Sequence, residues 1–492
     1  MVLGAADRFG DAEAVVDYGD NPAGADGPLR LSFTEVGERI RKAAGAFAEF
    51  GVDKGDRVAV WAPNSAEWII AAFGIMAAGG VLVPVNTRFK ADEAADVVAR
   101  SGAKAVMIQK GFLGQDFAFA DTDLDVPTID LKSDFLSSGT PFTREVSPTD
   151  VSDVIFTSGT TGRPKGAMMN HRQTLRAYEE WATLADLREG DRYLMINPYF
   201  HTFGLKAGLV ASFLRGATML PVAVFDVDNV VELIERERIT MLPGPPTLYH
   251  SLLAVADRDR LATLRAGVTG AADIPVELVR RIREELPFQT LMTGFRLTEA
   301  GYGTLARPGD SAEEVATTAG LPCGDVEVRI ADDAEVLVRG YNVMQGYLDD
   351  PAATAEAIDA DGWLHTGDLG EFTESGRLRI VGRKKDMFIV GGFNAYPAEI
   401  EGFLLEHPAI AQVAVIGVAD ERMGQVGKAF VVLRDEPAVL PLTAEDLVAW
   451  SRERMAGYKV PRYVEFLDEL PLNATGKVMK NQLESRIATS PG

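Results

Sequence analysis

A stretch rich in glycine and hydroxyl side chains follows a short apolar run near residue 157. Glycines let backbone N–H groups converge on an anion, hydroxyls donate hydrogen bonds and a lysine adds positive charge, so the stretch predicts a phosphate-binding loop. The spacing of the Walker A loop, GxxxxGK[ST], is absent. A surface loop without a ligand is the alternative. The residues concerned are Thr157, Ser158, Gly159, Thr160, Thr161, Gly162 and Lys165.

Other short motifs place charged or small residues beside apolar runs. One carboxylate ends Leu297-Thr298-Glu299, and another ends Thr366-Gly367-Asp368. Three basic residues are consecutive at Arg383-Lys384-Lys385. In a chain with so large a net negative charge, a polyanion such as ATP or CoA would have to bind at a local basic cluster of this kind. The remaining candidates are His201 within Pro198–Gly204, the small residues Gly270, Ala271 and Ala272, the pair Gly391 and Gly392, and Lys477 within Asn473–Lys477.

In their order along the chain, these motifs resemble those of the adenylate-forming superfamily. That family includes acyl-CoA synthetases, luciferases and the adenylation domains of peptide synthetases. The resemblance covers nearly the whole chain. It implies a ligase that uses ATP and Mg²⁺ to make an acyl-AMP from a carboxylic acid, and then passes the acyl group to the thiol of CoA. It also implies that a small C-terminal domain rotates between the two steps.

The resemblance also implies a role for each motif. Loop 157–166 would hold the β- and γ-phosphates, Thr298 would contact the α-phosphate and Glu299 would bind Mg²⁺. Positioned cations and donors suit this chemistry because negative charge builds on phosphate oxygens during the attack. The other implied positions are a gate between acyl pocket and thiol tunnel (His201), the nucleotide pocket (Gly270, Ala271, Ala272, Phe295, Asp368, Arg383), the hinge (Lys385), the CoA tunnel (Gly391, Gly392) and the adenylation lysine (Lys477).

Structural interpretations of the same residues remain open. Asp368 would then be a turn residue, Glu299 an exposed carboxylate and His201 a buried histidine with satisfied hydrogen bonds. Lys477 would be a solvated lysine after a turn, and the basic trio at 383–385 a simple linker.

One motif departs from the family pattern. Where the family has an aromatic residue followed by glycine, this chain has Phe295 followed by Arg296. A glycine beside the nucleotide indicates close backbone approach, so a long cation there must turn away or occupy ligand space. If it filled the triphosphate site or paired with Glu299, adenylation would be impaired or lost, and a partner ligase would supply the adenylate. If it turned to solvent, both steps would run.

The bulk composition bounds the class of protein. The chain has 492 residues, a net charge of −23 and 47% hydrophobic residues, as expected for a globular protein of more than one domain. Its acidity argues against nucleic acid or an anionic membrane as a general partner. The single cysteine, Cys323, excludes an internal disulfide, and no secretory signal opens the sequence. We therefore expect a cytoplasmic protein whose partners are a small carboxylic acid, or its adenylate, and CoA.

Strands and helices alternate along much of the chain, which predicts an α/β fold with mainly parallel sheets. Apolar residues at three- and four-residue steps predict a helix at 34–50, and Ser65 is the expected N-cap of a helix at 66–78. Strands are expected at Val58–Trp61, Val81–Val85, Ala105–Ile108 and Ile239–Leu242.

A change of spacing divides the chain. Near residue 335 the elements become short strands and turns, and a compact α+β segment follows residue 383. We predict a large N-terminal domain at 1–383, with a β-rich subdomain, and a small mobile domain at 384–492. The hinge would lie near 383–386.

The identity of the acid is the least determined feature. Stretches 191–198 and 241–247 resemble the branch of the family that acts on bulky ring acids, including steroid-derived ones. The small residues at 300–304 would leave room in a pocket wall. We expect a polycyclic terpenoid or steroid-type carboxylate, with a medium-chain fatty acid or an aryl acid as alternatives. An enzyme that loads a carrier protein and a silent adenylate-binding protein are the competing functions.

Overall fold

Parallel strands alternating with helices build most of the N-terminal part of this protein, as a computed structural model shows. The α/β class predicted from the sequence is therefore confirmed. Among the described residues, no helix combines the length and apolar character needed to cross a bilayer. The structure describes residues 1–19, 27–112, 117–119, 124–157, 164–255, 257–270, 276–391, 393–434, 442–473 and 478–489.

Helices begin where the sequence offers side-chain caps. The Ser32 hydroxyl accepts from the Glu35 N–H while the Glu35 carboxylate accepts from the Ser32 N–H, so α2 starts with a capping box. Ser65 accepts from the Trp68 N–H at the start of α3, as predicted. The described α-helices are α1 Val2–Phe9, α2 Phe33–Glu49, α3 Ala66–Ala77, α4 Ala91–Ser101, α5 Phe135–Ser138, α6 His171–Leu184, α7 Ala211–Arg215, α8 Val227–Glu237, α9 Pro246–Leu253, α10 Val276–Glu285, α11 Ala312–Thr317, α12 Pro351–Ala357, α13 Pro397–Leu405, α14 Ala444–Arg452 and α15 Lys480–Thr489.

Two mainly parallel sheets form the frame of the N-terminal part. Each has antiparallel strands only at an edge, and α2 and α3 belong to the large apolar core that the sheets share. The first sheet contains β1 Glu13–Asp17, β2 Leu29–Ser32, β9 Arg192–Met195, β10 Thr218–Pro221, β11 Ala266–Val268 and β12 Thr290–Met292. The second contains β3 Arg57–Trp61, β4 Val81–Pro84, β5 Ala105–Ile108, β6 Thr128–Asp130, β7 Val151–Thr157, β8 Lys165–Asn170 and β18 Gly346–Tyr347.

The strand predicted at Ile239–Leu242 is wrong in its extent. Met241 forms the parallel bridges, to Tyr193 on one side and to Ala266 on the other, while Leu242 and Gly244 also donate to the Ala266 and Val268 carbonyls. Pro243 lacks the N–H that would continue the ladder toward β9. Met241 nevertheless joins β9 to β11, so the first sheet runs on to β12.

Antiparallel strands follow from residue 294 onward, earlier than the change of spacing predicted near 335. One group is a hairpin with an added strand, and the other is a four-stranded sheet. The first group contains β13 Gly294–Leu297, β14 Gly301–Leu305 and β15 Leu321–Pro322, and the second contains β16 Glu327–Ile330, β17 Glu335–Arg339, β19 Leu364–Phe372 and β20 Leu378–Arg383.

The C-terminal part has a sheet and an apolar cluster of its own. Phe388, Ile400, Val415 and Val431 are buried members of that cluster. Residues 384–386 form the turn that joins β20 to this sheet, and the division of the chain at residue 383 and the hinge both stay predictions. The strands are β21 Phe388–Val390, β22 Phe393–Ala395, β23 Ile410–Asp420, β24 Gly424–Leu433 and β25 Tyr463–Phe466.

Candidate active site

The carboxyl end of β7 meets the turn that follows β13, and this junction joins two predicted motifs. Thr157, the last residue of β7, donates from Oγ1 to Oε1 of Glu299 over 3.1 Å. Thr157 also pairs in register with Lys165 on β8. The base of the predicted phosphate loop therefore lies beside the carboxylate predicted to bind Mg²⁺. Ligands of open α/β sheets gather at such carboxyl ends.

Tyr347 completes this junction, although it was not among the site residues predicted from the sequence. Its hydroxyl donates to the same Oε1 of Glu299 over 3.1 Å, and the Lys165 ammonium lies 5.3 Å from the centre of its ring. Burial and the Glu299 charge raise the pKa of Tyr347. Tyr347 lies on the two-residue strand β18, which pairs with β8 from far along the chain, so no local pattern signals it.

The part of the phosphate loop that carries most of its glycines lies outside the described residues. The same holds for three other motifs, in whole or in part. The predicted residues concerned are Ser158, Gly159, Thr160, Thr161, Gly162, Ala271, Ala272, Gly392 and Lys477.

Asp368 and Arg383 meet across two antiparallel strands. They are register partners on β19 and β20, and Arg383 Nε lies 2.8 Å from Asp368 Oδ1. Asp368 is only 4% exposed, and Arg383 is one partner of its carboxylate.

Phe295 connects this carboxylate to the rest of the candidate site. It is buried in one apolar cluster with Val338 of β17 and Leu364 of β19, the strand that carries Asp368. Gly270 lies two residues after β11, at the carboxyl edge of the first sheet. The nucleotide pocket that these residues were predicted to form stays a prediction.

The predicted hinge and tunnel residues lie at turns of the C-terminal part. Lys385 is exposed in the turn 384–386. Gly391 has a φ of 58° and donates its N–H to the Met423 carbonyl over 2.8 Å. A side chain at Gly391 would meet Met423, so both conformation and space favour glycine there.

The segment at residues 201–203 faces the Phe295–Glu299 motif. Thr202 and Thr298 hydroxyls lie 3.4 Å apart, and His201 Nδ1 accepts from the Phe203 N–H. Burial and the nearby Arg296 charge lower the pKa of His201 to about 3. His201 is therefore neutral at physiological pH, with its proton on Nε2.

Arg296 lies against an aromatic ring and not against Glu299. Its guanidinium carbon lies 5.0 Å from the centre of the Phe203 ring, and the side chain is half-buried. The described contacts of the Glu299 carboxylate are with Thr157 and Tyr347 and not with Arg296. The direction of Arg296 follows from a bulge between Phe295 and Arg296, which sets Arg296 opposite Tyr302 on β14.

Comparison with known families agrees with this arrangement. The family model described as AMP-binding enzyme matches residues 4–348, and the one described as AMP-binding enzyme C-terminal domain matches residues 399–477. The chain belongs to the AMP-binding enzyme family.

Curated relatives of this AMP-binding enzyme are CoA ligases. The 3-[(3aS,4S,7aS)-7a-methyl-1,5-dioxo-octahydro-1H-inden-4-yl]propanoyl:CoA ligase of Rhodococcus jostii is 47% identical over 96% of each chain. The ligase of the same name from Mycobacterium tuberculosis is 48% identical, over 92% of this chain and 93% of its own. The AMP-binding enzyme is accordingly an acyl-CoA ligase, an acid–thiol ligase of the AMP-forming type.

A solved structure extends the likeness to the fold. The ATP-bound MatB of Rhodopseudomonas palustris has a TM-score of 0.88 and 26% identity, and the match covers 99% of this chain and 98% of that one. The AMP-binding enzyme therefore shares the two-part architecture of the superfamily that its motifs indicated.

The donor atoms at the Glu299 junction fit a magnesium ion. One carboxylate, with hydroxyls around it, suits Mg²⁺ because this ion usually combines one or two carboxylates with phosphate oxygens and waters. Across the described ranges, no cluster of three or more His, Cys, Asp or Glu side chains forms an all-protein metal cage. The AMP-binding enzyme would thus hold the ion through Glu299 together with its nucleotide.

Proposed function

We propose that this enzyme converts a bicyclic, oxo-substituted ring acid with a propanoate side chain into its CoA thioester, and that it performs both half-reactions itself. The substrate class rests on two ligases that are 47% and 48% identical over more than nine-tenths of the chain. The observation that carries the complete reaction is the environment of Glu299, whose carboxylate is held by Thr157 and Tyr347 and is not neutralised by Arg296.

In the first half-reaction a carboxylate oxygen of the acid attacks the α-phosphorus of ATP. The bond from that phosphorus to the β-phosphate bridging oxygen breaks, and pyrophosphate leaves. Thr298 and Lys477 would donate to the α-phosphate region, while Lys165 and the loop 157–166 would hold the departing phosphates. Negative charge develops on phosphate oxygens during the attack, and donors positioned in advance would stabilise it.

Glu299 would hold Mg²⁺ beside these phosphates. When bound, this ion neutralises part of the phosphate charge. Thr157 and Tyr347 fix the orientation of the Glu299 carboxylate, because two donors share one of its oxygens.

In the second half-reaction the CoA thiol, after losing its proton to solvent, attacks the acyl carbon as a thiolate, the bond from that carbon to the phosphate oxygen breaks, and AMP leaves. The small domain would turn about Lys385 and bring Gly391 and Gly392 to the thiol tunnel. His201 would act as a neutral gate rather than as a charged group, because its pKa is lowered to about 3. Asp368 and Arg383 would keep the ribose in place through both steps.

A pair of assays tests whether both half-reactions run. Thioester formation is measured from acid, ATP, Mg²⁺ and CoA, and separately from synthetic acyl-AMP and CoA. We expect turnover in both, with the dioxo ring acid preferred over a medium-chain and an aryl acid. Turnover from acyl-AMP alone, restored to the complete reaction by Arg296→Gly, would show instead that Arg296 has disabled adenylation.

The acyl acceptor is tested in the same assays. CoA is compared with a phosphopantetheinylated carrier protein at equal thiol concentration. We expect thioester with CoA. Thioester only with the carrier would make the enzyme a carrier-loading ligase, and no thioester with either would make it an adenylate-binding protein.

A further inference from the structure

The Arg296 guanidinium lies against an aromatic layer of the N-terminal part. Arg296 stands directly opposite Tyr302 in the β13–β14 pair, so the two side chains share one face of the hairpin. Tyr302 stacks on Trp181 with ring centres 6.4 Å apart, and Trp181 meets Phe203 edge-on at 6.0 Å. The cation therefore sits beside Phe203, Trp181 and Tyr302.

The charge of Arg296 reaches several buried groups of this layer. It lowers the pKa of His201 and opposes the burial that raises the pKa of Tyr178, Tyr193 and Tyr302. The buried hydroxyl of Tyr178 has no hydrogen-bond partner among the described residues. The layer thus combines aromatic rings with the Arg296 guanidinium and with the Tyr178 hydroxyl, which has no described hydrogen-bond partner.

In the described part of the chain, no carboxylate forms an ion pair with Arg296. Its one described partner is the Phe203 ring, a cation–π contact worth about 0.5–2 kcal/mol. Lys206, three residues beyond Phe203, differs because its ammonium lies 2.8 Å from Asp153, and both of these side chains are 1% exposed. Lys206 therefore has a protein carboxylate as its partner, whereas the half-buried Arg296 has none among the described residues.

Arg296 and Thr298, the residue predicted to contact the α-phosphate, both contact the segment Thr202–Phe203. Thr298 lies against Thr202 while Arg296 lies against Phe203, the next residue. Under the proposed function Thr298 meets the α-phosphate, so the aromatic layer at Arg296 belongs to the acyl side of the site.

We propose that Arg296 is a specificity-determining residue that binds a second oxygen function, a ketone or a carboxylate, on the body of the acid. This inference rests on the proposed function and names the chemistry of its substrate. The reacting carboxylate is a poor partner, because it loses its charge when the adenylate forms and a cation paired with it would stabilise the starting acid. An oxygen on the acyl body persists through both half-reactions.

The experiment compares matched acids. The dioxo ring acid and the same ring acid without its ketones are assayed for kcat/KM with wild type, Arg296→Met and the control Arg8→Met. Arg8 also lies over a phenyl ring, that of Phe9 at 4.8 Å, but on helix α1. A hydrogen bond to a charged group contributes about 1.5–3 kcal/mol, so wild type and the control should prefer the dioxo acid by about 10- to 100-fold.

In Arg296→Met this preference should fall to within about threefold, mainly through loss of activity on the dioxo acid, since only the oxo substrate used the lost donor. An unchanged ratio in an active Arg296→Met enzyme would overturn the inference. As a test that does not depend on the folding of the variant, wild type is also titrated with non-hydrolysable acyl-adenylate analogues with and without the ketones. Equal affinity of the two analogues would also overturn it.

Failure of the proposed ring substrate can be told apart from failure of this inference. If wild type uses neither ring acid, the proposed substrate is wrong, and the comparison is repeated with a straight-chain acid, its oxo derivative and its dicarboxylate. An Arg296-dependent preference for either oxygenated acid supports the inference and distinguishes ketone from carboxylate. The inference is overturned if wild type shows the same kcat/KM for the oxygenated and the plain acid in the series on which it is most active.

Discussion

Two cationic side chains lie at the π-helical segment Phe203–Val210, and only one of them has a carboxylate partner among the described residues. Lys206 belongs to this segment and is fully buried with Asp153 as its ion-pair partner. Arg296 reaches the same segment from β13, is half-buried and has the Phe203 ring as its described partner. Lys206 is neutralised inside the buried interior, whereas Arg296 is the residue that we propose to meet an oxygen of the substrate. Glu299 is intermediate, since hydroxyls orient it but no described cation neutralises it.

The largest effect should come from breaking the compensated pair. Lys206→Met leaves the Asp153 carboxylate buried without its cation, so we expect a loss of about 3–5 kcal/mol in the free energy of unfolding. The midpoint of chemical denaturation of the N-terminal transition measures it. The double variant Lys206→Met with Asp153→Leu should recover most of the loss. A single variant as stable as wild type would show that the pair is not structural.

Glu299→Gln should affect activity instead of stability. Formation of acyl-AMP should fall by about 10²–10³-fold because one preorganised electrostatic group is removed. Thioester formation from synthetic acyl-AMP should stay within tenfold, and the melting temperature should not change. Glu313→Gln, an exposed glutamate in the first turn of α11, is the matched control. A large drop in melting temperature would place Glu299 with Lys206 on the structural side.

Tyr347→Phe removes one of the two hydroxyls that orient Glu299. Loss of a residue that orients a metal ligand typically costs about 10- to 100-fold, and we expect the lower end for adenylation, with a raised requirement for Mg²⁺. A magnesium titration of pyrophosphate release measures both quantities. Unchanged magnesium dependence would mean that Thr157 alone positions the carboxylate.

The smallest effect concerns pH. Burial and the Arg296 charge together lower the pKa of His201. Between pH 6.5 and pH 3 the imidazole is therefore protonated in the unfolded chain and neutral in the folded protein. The free energy of unfolding falls as the pH drops through this range. Arg296→Met should raise this pKa, because one of the two causes is gone. The variant should then lose less stability than wild type between pH 7 and pH 4, as followed by melting temperature. Equal acid sensitivity would contradict the described proximity of the two groups.

Local patterns in the sequence predicted the elements that carry local signals. The helix predicted at 34–50 is observed as Phe33–Glu49, because its apolar spacing and its Ser32 cap lie within the segment itself. The strand predicted at Ile239–Leu242 is observed only as a bridge at Met241, because a short run of mainly apolar residues does not reveal how far its pairing will extend. The Asp368–Arg383 pair was predicted as two nucleotide contacts but not as an ion pair, since the register of β19 on β20 joins them.

The sequence by itself determined the chemical class of this protein, because the order of hydroxyls, glycines, carboxylates and lysines is written in the chain and its family shares it. Tertiary structure alone decided what surrounds those groups. Tyr347 comes to Glu299 through a strand pairing with β8, and Arg296 turns to Phe203 through a bulge whose register depends on β14. Side-chain direction at such points is set by contacts between distant segments, and no local pattern encodes them.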